Sequence, residues 1–350
     1  MAGERLTVAG THDQVLPEPL VEQSETSSRR GGFKALAGKV LRWVRIPLSV
    51  LMLAYLLYLV EPAQALAVLA QADGLLVLAV AAMAVVDRML AAIRWYMLLR
   101  GKHVDVGFWP VARLTFVSNF IGSFLPAGVG IEAVRIYGLS RRTADLALAL
   151  SSVIVERVLA LGALVLLVVL GLLFSDAGFP PWIARIAWAA LAAIVLGSVG
   201  LMAGPTRRLS LLLLPGKLLA PVRAKLQELY DRLDEYRSQP VMLAGAVVMA
   251  LAFQVFRVAT YVVAGAAIGI DASFHTYMIV VPIVSLVMMI PISFGGLGVG
   301  EATFIYLLGL VGIPPEQSFT LSIMVLVLSL VGTLPGAWFY LKGGVADDRG

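Results

Sequence analysis

The chain has 350 residues, 60% of them apolar and 14% charged, with a mean hydropathy of +0.91. A soluble domain carries about 25% charge, so this is the composition of a multi-span α-helical membrane protein; a β-barrel would alternate in roughly 10-residue segments instead. The net charge of +5 is spread over several loops, which reads as membrane topology and excludes a nucleic-acid-binding stripe.

The chain has no cysteine, which rules out disulfides and thiolate metal sites. His12, His103 and His275 are far apart and none lies in an HExxH pattern, so no metal or other cofactor is expected. No nucleophile elbow, P-loop or dinucleotide fingerprint occurs. The chain is therefore expected not to be an enzyme.

In chain order, residues 1–40 are polar, and SETSSRRGG reads as a flexible basic lead-in without the apolar core of a signal peptide. A membrane domain is expected over 41–342, with one half at 41–174 and the other at 182–342; a short tail follows at 343–350. A first span is expected at about 44–60. Further apolar runs fall at 74–99, 107–125, 146–174, 182–203, 241–270, 274–292 and 317–341. A crossing needs roughly 20 helical residues. Two shorter pieces, 127–140 and 296–312, follow Pro/Gly breaks. The linker 205–240 places Val222, Leu226, Leu229 and Leu233 on one helical face, with Glu228 and Arg232 on another. It reads as an amphipathic helix on the cytoplasmic membrane surface, or as a docking helix for a partner.

Basic residues set orientation. Arg29, Arg30, Lys34, Lys39, Arg42 and Arg45 put the N-terminus inside. Arg100, Lys102, Arg141, Arg142 and the seven bases of 204–240 mark further inside loops, whereas Asp73, Asp176, Asp271 and Glu316 mark outside ones. Residues 107–125 and 127–140 then start and end inside, and 274–292 and 296–312 start and end outside. The expected fold is all-α: a polytopic bundle of about eight membrane segments, including two opposed re-entrant hairpins related as an inverted repeat.

The turns of those hairpins are FLPAGVGIEAVRIYGL (124–139) and IPISFGGLGVGEATFIYLL (290–308). Pro126, Gly128 and Gly130 break the first; Pro291, Gly295, Gly296, Gly298 and Gly300 break the second. Broken backbone at membrane depth must be covered by protein or water. Glu132 and Glu301 open the restarted helices, where each caps its own helix or serves gating or cation coupling. Asn119, Ser118 and Ser123 either satisfy the broken backbone or line a headgroup site.

Asp87, Arg88, Arg94, Arg113, Glu156, Arg157 and Arg257 also fall within spans. Each costs about 3 kcal/mol if it faces lipid at mid-depth, so they must pair, face inward or snorkel. Arg94, near the end of its span, is expected to snorkel, and Asp87 lies too far from it for a direct pair. Glu156 and Arg157 point about 100° apart, so each needs another partner. Gln254, Arg257 and Tyr261 form a polar stripe mid-span.

Arg113, Asn119, Leu125-Pro126, Gly128, Gly130, Glu132 and Arg135, then Glu156-Arg157, then PISFGGLGVGE (291–301), resemble in order the signatures of the lysylphosphatidylglycerol synthase transmembrane, or flippase-like, family. Departures are Ile131 and Glu132, where glycine and aspartate are common, and the missing acid after Arg157. The resemblance covers about residues 40–342. It implies a bacterial inner-membrane protein that moves lipids, or assists their movement, between leaflets. Nothing follows residue 350, so the soluble aminoacyl-transferase domain of the name-giving synthases is expected to be absent. Arg113, Asn119, Arg135, Arg157 and Arg257 are then expected to contact an anionic headgroup, with Glu132, Glu156 and Glu301 in gating or coupling. The expected partner is a membrane lipid: a phospholipid, a hopanoid or a lipid-linked saccharide. The alternative is a non-transporting subunit that presents a lipid or lipid-linked sugar to a partner enzyme.

Overall fold

The computed structural model describes residues 67–102, 104–123, 129–175, 178–202, 239–290 and 297–343, with 227–228, 230–231 and 235–236 of the linker. The expected first span, most of the linker helix, and Pro126, Gly128, Pro291, Gly295 and Gly296 lie outside the described residues. All regular structure among the described residues is helical.

The helices are α1 Gly74–Gly101, α2 Phe108–Ser123, α3 Val129–Thr143, α4 Leu146–Phe174, α5 Pro181–Met202, α6 Pro240–Ala267, α7 Phe274–Met288, α8 Val299–Gly309, α9 Pro315–Val331 and α10 Leu334–Gly343. Their starts carry recognisable caps. The Asp73 carboxylate accepts from the N–H groups of Leu75 and Leu76, Asp145 from Leu148, and the Ser273 hydroxyl from Thr276. Proline opens α6 and α9, where its missing N–H costs nothing. Four stretches, 74–101, 146–174, 240–267 and 315–342, are long and apolar enough to cross a membrane. The last is divided into α9 and α10 by a turn at Gly332–Thr333.

Pairwise contacts fix how these helices run. Gly101 lies against Met242, the Arg94 guanidinium against the Phe253 ring, Arg257 beside Asp87, and the Asp73 N–H donates to the Ala267 carbonyl at 2.8 Å. Rising numbers on α1 meet falling numbers on α6, so the two are antiparallel. The same reading makes α4 antiparallel to α7, through Gly171 with Ile279 and Phe174 with His275. It makes α2 antiparallel to α10, through Arg113 with Phe339 and Phe116 with Gly336. Helices α2 and α3 fold back on each other: Gly122 faces Ile131 near the turn and Gly138 faces Leu114 further along. At the turn of the second pair, Gly300 faces Met288.

The order long helix, two short helices, long helix therefore occurs twice, as α1–α4 and as α6–α10, with the first helices of the two sets antiparallel. The ends of the long helices gather at two faces. One face holds Arg100, Lys102, Arg141 and Arg142; the other holds Asp73 and Asp271. The largest apolar core joins α1 and α4–α9, and includes Leu167, Ile183, Val258, Tyr277, Phe304 and Leu321. At the basic face, the end of the linker is docked. Tyr236 is buried beside Leu98 and Ala246, and Lys102 lies over its ring and pairs with Glu235 at 2.6 Å.

Candidate functional site

A cavity of about 770 Å³ lies at mid-length in the bundle and is walled by α1–α4 and α6–α9. Each helix offers it one stripe. On α1 the stripe is Val80, Ala84, Asp87, Ala91 and Arg94, the spacing of one helical face. On α6 it is Phe253, Gln254, Arg257 and Tyr261, so the polar stripe expected from sequence does face inward. Five arginines (88, 94, 135, 157 and 257) and four carboxylates (Asp87, Glu132, Glu156 and Glu301) line the wall.

Three ion clusters organise these groups. In the first, buried Glu156 takes Arg94 on one oxygen at 2.6 Å and Arg135 on the other at 2.7 Å. The two guanidiniums also stack on aromatic faces, Arg94 4.5 Å from the Phe253 ring centre and Arg135 4.0 Å from that of Trp95. The Trp95 indole N–H donates to Ser152, which holds the ring in place from α4. Only 4% of Glu156 is exposed, so the pairing offsets a large desolvation cost. In the second, Arg157 pairs with Glu132. In the third, Asp87 accepts from Arg88 at 2.6 Å and lies 3.8 Å from the Arg257 Nε.

Glu301 stands apart. Its Oε2 accepts from the Gly298 N–H at 2.6 Å and closes the first turn of α8. Gly298 has φ 82°, a backbone that glycine adopts without strain. No cation among the described residues pairs with Glu301, and it lines the cavity while only 4% exposed. Tyr261 of α6 stacks on Phe304, one turn beyond Glu301, with ring centres 5.3 Å apart.

A family model for the lysylphosphatidylglycerol synthase TM region matches residues 42–336. The chain belongs to this family. Neither the comparison with curated proteins nor that with solved structures gives a match. The family and the four long apolar helices make the chain a multi-pass membrane protein related to lipid handling. The matched region contains every residue that lines the cavity.

The structure brings together most of those sequence-expected site residues that it describes. Asn119, Glu132, Arg135, Glu156, Arg157, Arg257, Gly300 and Glu301 line this cavity. Gly130 and Gly298 sit at the starts of α3 and α8. Glu156 and Arg157, adjacent in sequence, take separate partners as their angular offset requires. Glu301 caps its helix, whereas Glu132 reaches across to Arg157. Asn119 and Ser123 both return a bond to their own helix, Asn119 to the Thr115 carbonyl at 2.8 Å and Ser123 to that of Asn119.

Two expectations are corrected. Arg113 is not at the cavity: it donates to the Phe339 carbonyl at 3.2 Å, between α2 and α10. Arg94 does not snorkel; it is 7% exposed and bound to Glu156. Its position near the helix end suggested an escape to water, but α6 and α4 close over it. Asp87, Arg88 and Arg94 are the charged cavity residues that the sequence-based site left out. The signal for Asp87 and Arg94 was their seven-residue spacing on one face of α1.

Proposed function

We propose that this protein is a lipid translocase of the bacterial inner membrane, with its N-terminus in the cytoplasm, that moves an amphipathic or anionic lipid between leaflets. The observation that carries this is the charged cavity at mid-length in a bundle whose outer faces are apolar. Such a cavity lowers the cost of carrying a polar headgroup through hydrocarbon, where an unpaired charge costs about 3 kcal/mol or more. The acyl chains remain in the surrounding bilayer. Glu301, Glu132 and Glu156 fill the gating or coupling role, and the arginines receive the headgroup.

In this reading α2–α3 and α7–α8 are opposed re-entrant hairpins. Helices of 16, 15, 15 and 11 residues extend about 16–24 Å at 1.5 Å per residue, short of a ~30 Å core. The antiparallel first helices of the two sets support an inverted repeat, the architecture in which a central site is reached from either side in turn.

The test is leaflet exchange. The purified full-length chain is reconstituted into phosphatidylglycerol-containing proteoliposomes with a trace of headgroup-labelled lipid, and the label reachable from outside is quenched. Translocation predicts that well over half the label becomes reachable. A quenchable fraction equal to that of protein-free vesicles overturns the reading.

A further inference from the structure

The charges of the cavity do not cancel, and the way they fail to cancel describes the ligand. Glu156 is shared by two arginines, which leaves that cluster one positive charge. Its spare donors, Arg94 Nε and Nη1 and Arg135 Nε, are buried without hydrogen-bond partners among the described residues. Both arginines are more than nine-tenths buried. Asp87 is likewise shared by Arg88 and Arg257, and Arg257, with 36% of its side chain exposed, is the more open of the two. Glu132 and Arg157 cancel, and Glu301 adds one negative charge without a cationic partner among the described residues. Five arginines and four carboxylates among the described lining residues leave a net charge of one positive. An uncompensated charge in such surroundings is costly, and so are buried donors left unpaired.

We propose that the cavity takes a phosphodiester headgroup carrying one net negative charge, received by the arginine excess around Glu156 and Asp87, while Glu301 disfavours a second negative charge. This rests on the translocase reading for its lipid source and names the substrate class of that same site.

The test is native mass spectrometry of the full-length chain in neutral detergent micelles. The probes are phosphatidylglycerol (one net negative charge), phosphatidylethanolamine (none), phosphatidic acid (close to two), lysylphosphatidylglycerol (net positive) and inorganic phosphate. One unit charge at about 10 Å and an effective dielectric of about 20 changes binding roughly tenfold. Phosphatidylglycerol is therefore expected to lead the other lipids by about that factor. Glu301→Gln keeps the cap and raises the cavity by one charge, so preference shifts roughly tenfold toward phosphatidic acid. Arg257→Gln lowers it by one charge, so phosphatidylethanolamine gains on phosphatidylglycerol. Because Glu301→Gln predicts a gain, a misfolded variant cannot imitate it.

An unchanged lipid order in both variants, or a lead for phosphatidylethanolamine or lysylphosphatidylglycerol in the unmodified chain, overturns the proposal. Inorganic phosphate that strips phosphatidylglycerol from the protein overturns the lipid source. Leaflet exchange separates the two readings. Ordered binding without exchange defeats translocation and leaves the charge assignment standing, whereas exchange without charge order does the reverse.

Discussion

Replacing Glu156 with glutamine is the sharpest test of the buried cluster. The carboxylate binds two guanidiniums at 2.6 and 2.7 Å and is 4% exposed. Glutamine keeps the size and one acceptor but leaves Arg94 and Arg135 as neighbouring buried cations without a counter-ion. Stripping a buried pair of one partner costs about 3–5 kcal/mol. At about 2 °C per kcal/mol for a chain of this size, the melting temperature falls by roughly 6–10 °C. Arg157→Gln is the internal control. Arg157 also forms an ion pair, with Glu132, but its side chain is 41% exposed, so the loss is about 1 kcal/mol or less. Thermal-shift measurements on the purified proteins in one detergent compare the two directly. A Glu156→Gln protein that melts within a degree of the unmodified one refutes the argument that this cluster is closed to water.

Three further outcomes are expected. A Cβ at Gly336 would lie 2.2 Å from the Phe116 carbonyl oxygen, which is backbone and cannot swing aside, so Gly336→Ala loses about 1–3 kcal/mol in the same melt. Gly197, with nothing within 4 Å of such a Cβ, tolerates alanine without loss. The Tyr236 hydroxyl is buried without a hydrogen-bond partner among the described residues, so Tyr236→Phe leaves stability unchanged, whereas Tyr236→Ala removes a buried ring and costs about 3–5 kcal/mol. In the leaflet-exchange assay, Glu301→Ala and Arg257→Ala abolish transport with expression retained, and full exchange by both mutants removes these residues from the site.

Helix positions were legible because apolar runs and their Pro/Gly breaks are local features. The expected runs at 74–99, 146–174 and 241–270 agree with α1, α4 and α6 to within three residues. The run at 317–341 concealed the turn between α9 and α10, since Gly332 and Thr333 are brief and apolar on both sides. Charge partners were far less legible. Arg94 and Glu156 are 62 residues apart, and nothing in either neighbourhood names the other. The sequence did require each buried charge to find a partner, a requirement that singled out Glu156 and Arg257, which line the cavity; Arg135, which lines it too, was named only by the family resemblance. Arg113, to which the resemblance gave a headgroup role, instead donates to a backbone carbonyl on α10, a contact with no sequence signature.

The account depends most on the two hairpins entering the membrane from opposite faces, and the cysteine-free chain allows a direct measurement. Single cysteines at Asp105 and Arg141, which flank α2–α3, and at Asp271 and Pro315, which flank α7–α8, are labelled from each side of right-side-out vesicles with an impermeant maleimide. The first two are expected to react only from the cytoplasmic side and the last two only from outside. Labelling of all four from one side, or of the two ends of either hairpin from different sides, would contradict it.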